Sequence, residues 1–123
     1  MRNNPVCWFE IYVQDMPRAK AFYEAVLGVQ LARLEGPDLD MWAFGMDETS
    51  VGAGGALVRV PEVPSGGTGT LVYFSCEDCA VEESRVEKAG GRVQRAKMSI
   101  GPYGFISLAF DTEGNMIGFH SLK

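Results

Sequence analysis

The stretch Cys7-Trp8-Phe9-Glu10-Ile11-Tyr12-Val13-Gln14-Asp15-Met16-Pro17-Arg18-Ala19-Lys20-Ala21-Phe22-Tyr23-Glu24-Ala25-Val26-Leu27-Gly28 decides the fold. Cys7 to Val13 is rich in aromatic and β-branched residues and predicts a strand. Asp15 stands where a helix N-cap is needed, and Pro17 fits the first turn, where its missing N–H has no partner. Ala21, Phe22, Ala25 and Val26 recur at helical spacing as the apolar face, and Gly28 supplies a left-handed stop. Such a strand–turn–helix cannot bury its apolar face alone, so the rest of the chain must supply the packing surface.

The same grammar returns in the middle of the chain. Val72-Tyr73-Phe74-Ser75-Cys76 predicts a strand, Glu77-Asp78 a turn and cap, and Ala80 to Ala89 a helix with Val81 and Val86, stopped at Gly90-Gly91. Asp15 with Asp78 and Gly28 with Gly90 superpose the two copies at offsets that agree to within one residue. Each copy is followed by further strand-like runs: Val29–Leu34, Leu39–Phe44 and Gly55–Val60 in the first, Arg92–Lys97, Phe105–Phe110 and Met116–Leu122 in the second. Turns are predicted at Glu35–Asp38, Gly101–Gly104 and Asp111–Asn115, the last including Glu113. Two copies of a long unit suggest paired βαβββ modules, since a solenoid needs at least three repeats. The Pro/Gly/Ser run from Pro61 to Gly69 reads as the linker between them.

At 123 residues the chain is expected to be a single domain, with module one at 5–60, the linker at 61–69 and module two at 70–123. Its apolar content of 46% and charged content of 22% are ordinary for a globular protein. The N-terminus lacks the apolar core of a signal peptide, and no run is long enough to span a bilayer; a cytoplasmic protein is the expectation. A net charge of −5 and scattered basic residues argue against nucleic acid. The glycine-rich run Val51–Val58 leads into a strand and lacks the Lys of a phosphate cradle, so it is read as a flexible strand entry. Cys76 and Cys79 have CxxC spacing. With only Cys7 and His120 to complete a zinc site, the preferred reading is buried free thiols, with a redox role left open.

Strand alternation sorts the remaining candidates. Phe9, Ile11 and Val13 share one face, as do Val72, Phe74 and Cys76, and these rows are expected under the helices. Trp8, Glu10 and Tyr12, then Leu71, Tyr73 and Ser75, and Met116, Gly118 and His120 take the opposite face. Glu10 is the most conspicuous, because a carboxylate in so apolar a strand is costly unless paired. A solvated sheet edge for Glu10, a frayed end for His120 and simple barrel filling for the aromatics remain open alternatives.

Phe9-Glu10-Ile11-Tyr12-Val13 with Asp15, Arg18-Ala19, Phe22-Tyr23 and Leu27-Gly28 resembles the opening of the glyoxalase, bleomycin-resistance and extradiol-dioxygenase group, the vicinal oxygen chelate superfamily. Ala109-Phe110-Asp111-Thr112-Glu113-Gly114-Asn115 with Ile117-Gly118 resembles its closing strand pair, and Ala89-Gly90-Gly91 its centre. The nearest branch is the lactoylglutathione-lyase-related one. The resemblance implies an α+β fold of two βαβββ modules that form a cup-shaped, partly open eight-stranded sheet with helices outside. It also implies a homodimer that binds a small-molecule substrate or ligand, with neither nucleic acid nor membrane as partner. Carried over position by position, the family's divalent-metal ligands fall on Trp8, near Ala56, on Leu71 and on Gly118. None of these offers a metal-binding side chain, so neither metal nor other cofactor is expected.

Two functions follow as expectations. One is a metal-independent lyase or isomerase acting on a small carbonyl compound, with Glu10, His120 and Tyr73 catalytic. Trp8, Tyr12, Trp42, Leu71, Ser75 and Gly118 would then line the ligand site. The other is a non-catalytic protein that binds or sequesters a small molecule, as the antibiotic-resistance members do. An aromatic lining with one carboxylate suits a cationic ligand.

Overall fold

The computed structural model describes residues 4–35, 39–47, 49, 52–67, 69–112 and 114–123; the predicted turn at Gly36–Asp38, together with Val51, Thr68 and Glu113, lies outside them. The described residues form eight strands and two α-helices in the order β1 (Val6–Tyr12), α1 (Met16–Leu27), β2 (Ala32–Leu34), β3 (Asp40–Ala43), β4 (Gly54–Arg59), β5 (Thr70–Ser75), α2 (Cys79–Val86), β6 (Arg92–Ser99), β7 (Phe105–Phe110) and β8 (Met116–Ser121). A single 3-10 turn, Gly101–Tyr103, precedes β7. The class is α+β, and the element order is βαβββ twice. The chain gathers into two compact units: Trp8–Thr70 is the first, and Leu71–Lys123 with the start of the chain through Cys7 is the second. Cys7 goes with the second because its thiol points to the Tyr73 carbonyl (3.7 Å), and Ser75 N–H donates to Pro5 O (2.8 Å).

In the first unit the strand order is β2-β3-β4-β1, with β1 parallel to β4 and the other pairs antiparallel. Asp15 caps α1 by accepting from Arg18 N–H (3.0 Å), Pro17 sits in the first turn, and Gly28 closes the helix at φ +67°. The predicted strand at Val29–Leu34 is shorter than expected, because the helix end consumes its first half. Gly28 and Val29 N–H both turn back to Glu24 O, and Glu24 Oε2 accepts from Leu31 N–H (2.9 Å). The α1 face that packs inward also differs from the expectation. Met16, Ala19 and Tyr23 meet Val13, Leu31, Leu57 and Ile11, whereas Phe22 and Val26 remain 58% and 63% exposed. Gly55 pairs with Phe9, and a Cβ at that position would collide with the Phe9 ring.

The second unit repeats the plan with order β5-β8-β7-β6, β5 running parallel to β8. Asp78 caps α2 by accepting from Ala80 N–H (3.0 Å). The helix begins one residue earlier than predicted, at the fully buried Cys79, and ends at Val86 rather than Ala89. Beyond Val86 the chain tightens, with Gly91 N–H bonding Val86 O (2.9 Å). A Cβ at Gly91 would press on the Phe110 carbonyl, so glycine is required by close approach. Val86 packs with Phe74, Ala109, Ile117 and Phe119, while Val81 faces outward. Asp111 and Asn115 form the expected turn, the Asp111 carboxylate accepting from Asn115 N–H and Nδ2.

Candidate functional site

Glu10 sits in the middle of β1, paired in register with the fully buried Ala56 of β4. Its neighbours two residues away share its face, and both bond to it. Trp8 Nε1–H donates to one carboxylate oxygen (3.2 Å) and the Tyr12 hydroxyl to the other (2.6 Å). A carboxylate offers about four lone-pair sites, so two acceptor positions lie beyond these bonds. Burial pushes the Glu10 pKa up, and the Tyr12 and Trp8 hydrogen bonds, which lower it, do not cancel that effect. The result is a carboxyl fixed in plane by two aromatic donors and made more basic than an ordinary glutamate.

The helix lies on the other side of this strand, where Ile11 packs into the core around Leu57. Trp42, expected beside Trp8 and Tyr12, stands opposite Leu57 on that helix side. Its Nε1–H donates to Asp40 (3.1 Å), and the Lys20 ammonium lies 3.5 Å from its ring centroid. Trp42 is therefore kept from the Glu10 face by strand alternation.

In the second unit Tyr73 pairs with Gly118 and Ser75 with His120, and Phe74 and Phe119 occupy the helix side. Leu71 and Tyr73 are buried, and Ser75 is exposed. The Tyr73 ring covers Gly118 so closely that a Cβ there would enter it. His120 Nε2 lies 2.7 Å from the Tyr103 carbonyl oxygen. That contact makes the imidazole a donor at Nε2 and holds the ring against the 3-10 turn. Glu10, Trp8 and Tyr12 thus form one cluster within the first unit. Tyr73 with Gly118, and His120 with Tyr103, form separate pairs within the second. Alternation at i and i+2 signalled the first cluster in the sequence. Nothing local signalled the Tyr103 carbonyl, which reaches His120 only through the folded turn.

The chain from Val6 to Phe119 matches the model of the Glyoxalase/Bleomycin resistance protein/Dioxygenase superfamily. The chain belongs to that superfamily. Solved structures carry the same fold at low identity. Methylmalonyl-CoA epimerase from Mycobacterium tuberculosis aligns with a TM-score of 0.69 at 16% identity, covering 97% of this chain and 88% of that one. A hypothetical protein from Bacillus halodurans aligns at 0.74 and 12%, covering 99% and 96%. A glyoxalase/bleomycin resistance protein/dioxygenase superfamily member from Vibrio splendidus aligns at 0.65 and 20%, covering 92% and 95%. A comparison with curated proteins finds no match. No helix among the described residues is long and apolar enough to cross a membrane.

The divalent metal implied by the superfamily resemblance does not fit the residues present. The Trp8 indole is a donor only and its N–H is spent on Glu10. Ala56 and Leu71 have no ligating atom, and Gly118 lies beneath the Tyr73 ring. Among the described residues no three His, Cys, Asp or Glu side chains are grouped as a metal site.

Proposed function

We propose that this superfamily member is an isomerase or lyase that acts on a small carbonyl compound, with Glu10 as general base. The observation that carries the reading is the desolvated Glu10 carboxyl with one donor on each oxygen. A base works best when its pKa approaches the working pH, and burial moves Glu10 in that direction. Glu10 takes the proton from a carbon next to a carbonyl, and the electron pair of that C–H bond passes to the carbonyl oxygen as an enolate. Trp8 and Tyr12 keep the carboxyl in a fixed orientation while it changes charge. A proton delivered to the opposite face of the same carbon by a second donor gives the epimer, and Glu10 then gives up its own proton to solvent; expulsion of a β-substituent from the enolate gives a lyase product instead. His120 and Tyr73 are retained as proton donors in this reading, the imidazole after it leaves the Tyr103 carbonyl. Trp8, Tyr12, Leu71, Ser75 and Gly118 are retained as ligand contacts, and Trp42 drops out. Fold neighbours named as methylmalonyl-CoA epimerase support the class of reaction. The protein works as a cytoplasmic homodimer and takes neither nucleic acid nor a membrane as partner.

The sequestering alternative draws on the indole and phenol beside the carboxylate. A pKa raised by burial weakens it, because a cationic ligand needs a fixed negative charge. Hydrogen–deuterium exchange separates the readings. The native protein in D2O is given a panel of acyl thioesters and α-hydroxy carbonyl compounds, and loss of the α-proton signal is followed by NMR. Exchange with at least one compound, lost in Glu10→Gln with binding retained, supports the enzyme. Saturable binding without exchange by the native protein contradicts it.

A further inference from the structure

β6 is the outer strand of the second unit, and its ladder with β7 is irregular. Arg92 pairs with Phe110, and regular alternation from there would set Gln94 against Leu108 and Ala96 against Ile106. Two bulges intervene, one between Val93 and Arg95 and one between Arg95 and Met98, so that Arg95 meets Leu108 and Met98 meets Ile106. The effect is to move Arg95 from the side covered by α2 to the opposite face of the sheet. Side chains hold both irregularities. The fully buried Ser107 hydroxyl donates to Arg95 O (3.1 Å), and Lys97 N–H donates to Glu83 Oε1 (2.7 Å).

On that face Arg95, Leu108, Gly118 and Tyr73 stand side by side across β6, β7, β8 and β5, with the row of His120 next to them. Arg92 and Arg95 are exposed, and neither is ion-paired among the described residues. Arg92 lies over the Phe110 ring, 4.6 Å from its centroid, and Arg95 Nη1 lies 3.7 Å from Met98 Sδ. A ring face and a thioether are weak acceptors, so both guanidinium groups keep most of their donor capacity. Lys97 is different, because it is held by Asp78 (2.8 Å) beside α2.

We propose that Arg95, with Arg92 beside it, forms a subsite for the oxyanion of a small organic ligand, a carboxylate or phosphate ester whose apolar body lies along Leu108 toward His120 and Tyr73. Calling that ligand the carbonyl substrate rests on the reading above; the subsite itself does not. A guanidinium fork matches either oxyanion through two parallel hydrogen bonds. The strands of His120 and Tyr73 lie two and three strand spacings from β6, about 10 and 14 Å, which a molecule of metabolite size spans. A nucleic acid is disfavoured, since two cations on a chain of net charge −5 neutralise too few phosphates. Bulges and charges also blunt sheet edges, but that purpose needs no particular face and no buried hydroxyl to pin Arg95.

NMR titration of the native chain with phenyl phosphate, phenylacetate and the neutral phenylacetamide tests the proposal, read at the arginine Nε–H signals and the β6–β8 amides. Arg95→Gln, Arg92→Gln and Lys97→Gln are titrated beside it, with circular dichroism as the check on folding. The anions are expected to bind at millimolar concentration and to move the Arg95 signal, and the amide to bind roughly tenfold or more weakly. Arg95→Gln should take away roughly tenfold or more of the anion affinity, Arg92→Gln less, and Lys97→Gln none. Binding of one anion and not the other upholds the subsite and names its oxyanion. No shift up to tens of millimolar, equal binding of the amide, or equal losses in Lys97→Gln and Arg95→Gln overturns it and leaves the arginines as edge protection. The deuterium-exchange panel separates this proposal from the enzyme reading. Anion binding at Arg95 with no exchange of any compound overturns the enzyme and leaves the subsite. Exchange of anionic carbonyl compounds with a KM unmoved by Arg95→Gln overturns the subsite and leaves the enzyme.

Discussion

The Tyr12 hydroxyl lies 2.6 Å from Glu10 Oε1, two residues along the same strand and on the same face. A bond this short is well formed for a hydroxyl donor, and it fixes the side chain on which the functional reading turns. Tyr12→Phe should cost about 0.5–1.5 kcal/mol of stability, the net value of one such bond. Urea unfolding at neutral pH checks it. A cost indistinguishable from zero would mean that the bond does not hold Glu10.

The pH dependence of stability separates Glu10 from Asp78. Burial holds the folded-state pKa of Glu10 above its ordinary value of 4.5, so native protein keeps a proton that the unfolded chain releases. Its contribution is complete below that value and is lost as pH rises through the folded pKa. Asp78 behaves in the opposite way. The Lys97 ammonium, 2.8 Å away, and the Ala80 N–H hold it below 3.8, so its contribution is present above that value and is lost in acid. Thermal melts should therefore show Glu10→Gln gaining on the native chain as pH rises from acid to neutral. Asp78→Asn should lose on it over its own lower range, by a small margin because the site is exposed. Parallel pH curves for all three proteins would remove this account of both groups.

Gly118 carries the Tyr73 ring directly above it. Gly118→Ala should destabilise the protein by about 1–3 kcal/mol through overpacking. In a Tyr73→Leu background the same change should cost much less, since the two sites share one space. Equal costs in both backgrounds would show that the ring does not exclude a Cβ.

Much of the fold could be read in advance, because caps and stops act locally. Asp15, Pro17, Gly28 and Asp78 do in the structure what their chemistry predicts. Alternation correctly separated Ile11 and Phe74 from Glu10 and Tyr73. Long-range choices were not legible. The sequence of α1 offers two apolar stripes, and spacing alone does not say that Met16, Ala19 and Tyr23 pack inward while Phe22 and Val26 stay out. The shortening of β2 depends on the Glu24 side chain reaching Leu31, and the side taken by Trp42 depends on the register of β3 against β4. The Tyr103–His120 contact spans a turn whose path no local pattern fixes.

The CxxC pair is expected to be unreactive. Burial, and next the neighbouring Glu82 carboxylate, push the Cys76 thiol up to about 12, leaving roughly a thousandfold less thiolate than an ordinary cysteine. Cys79 is fully buried, and burial also raises the pKa of Cys7. Iodoacetamide at neutral pH should label the native protein far more slowly than the unfolded chain. Rapid labelling of Cys76 would reopen a redox role.

The most direct test of the central claim is the titration of the Glu10 carboxyl itself, followed by 13C NMR on protein labelled at glutamate side chains and assigned with Glu10→Gln. The predicted midpoint lies above 4.5, and Tyr12→Phe should raise it further by removing a bond that favours the charged form. A native midpoint at or below 4.5 would contradict the account, leaving Glu10 an ordinary surface carboxylate without the basicity that its proposed role requires.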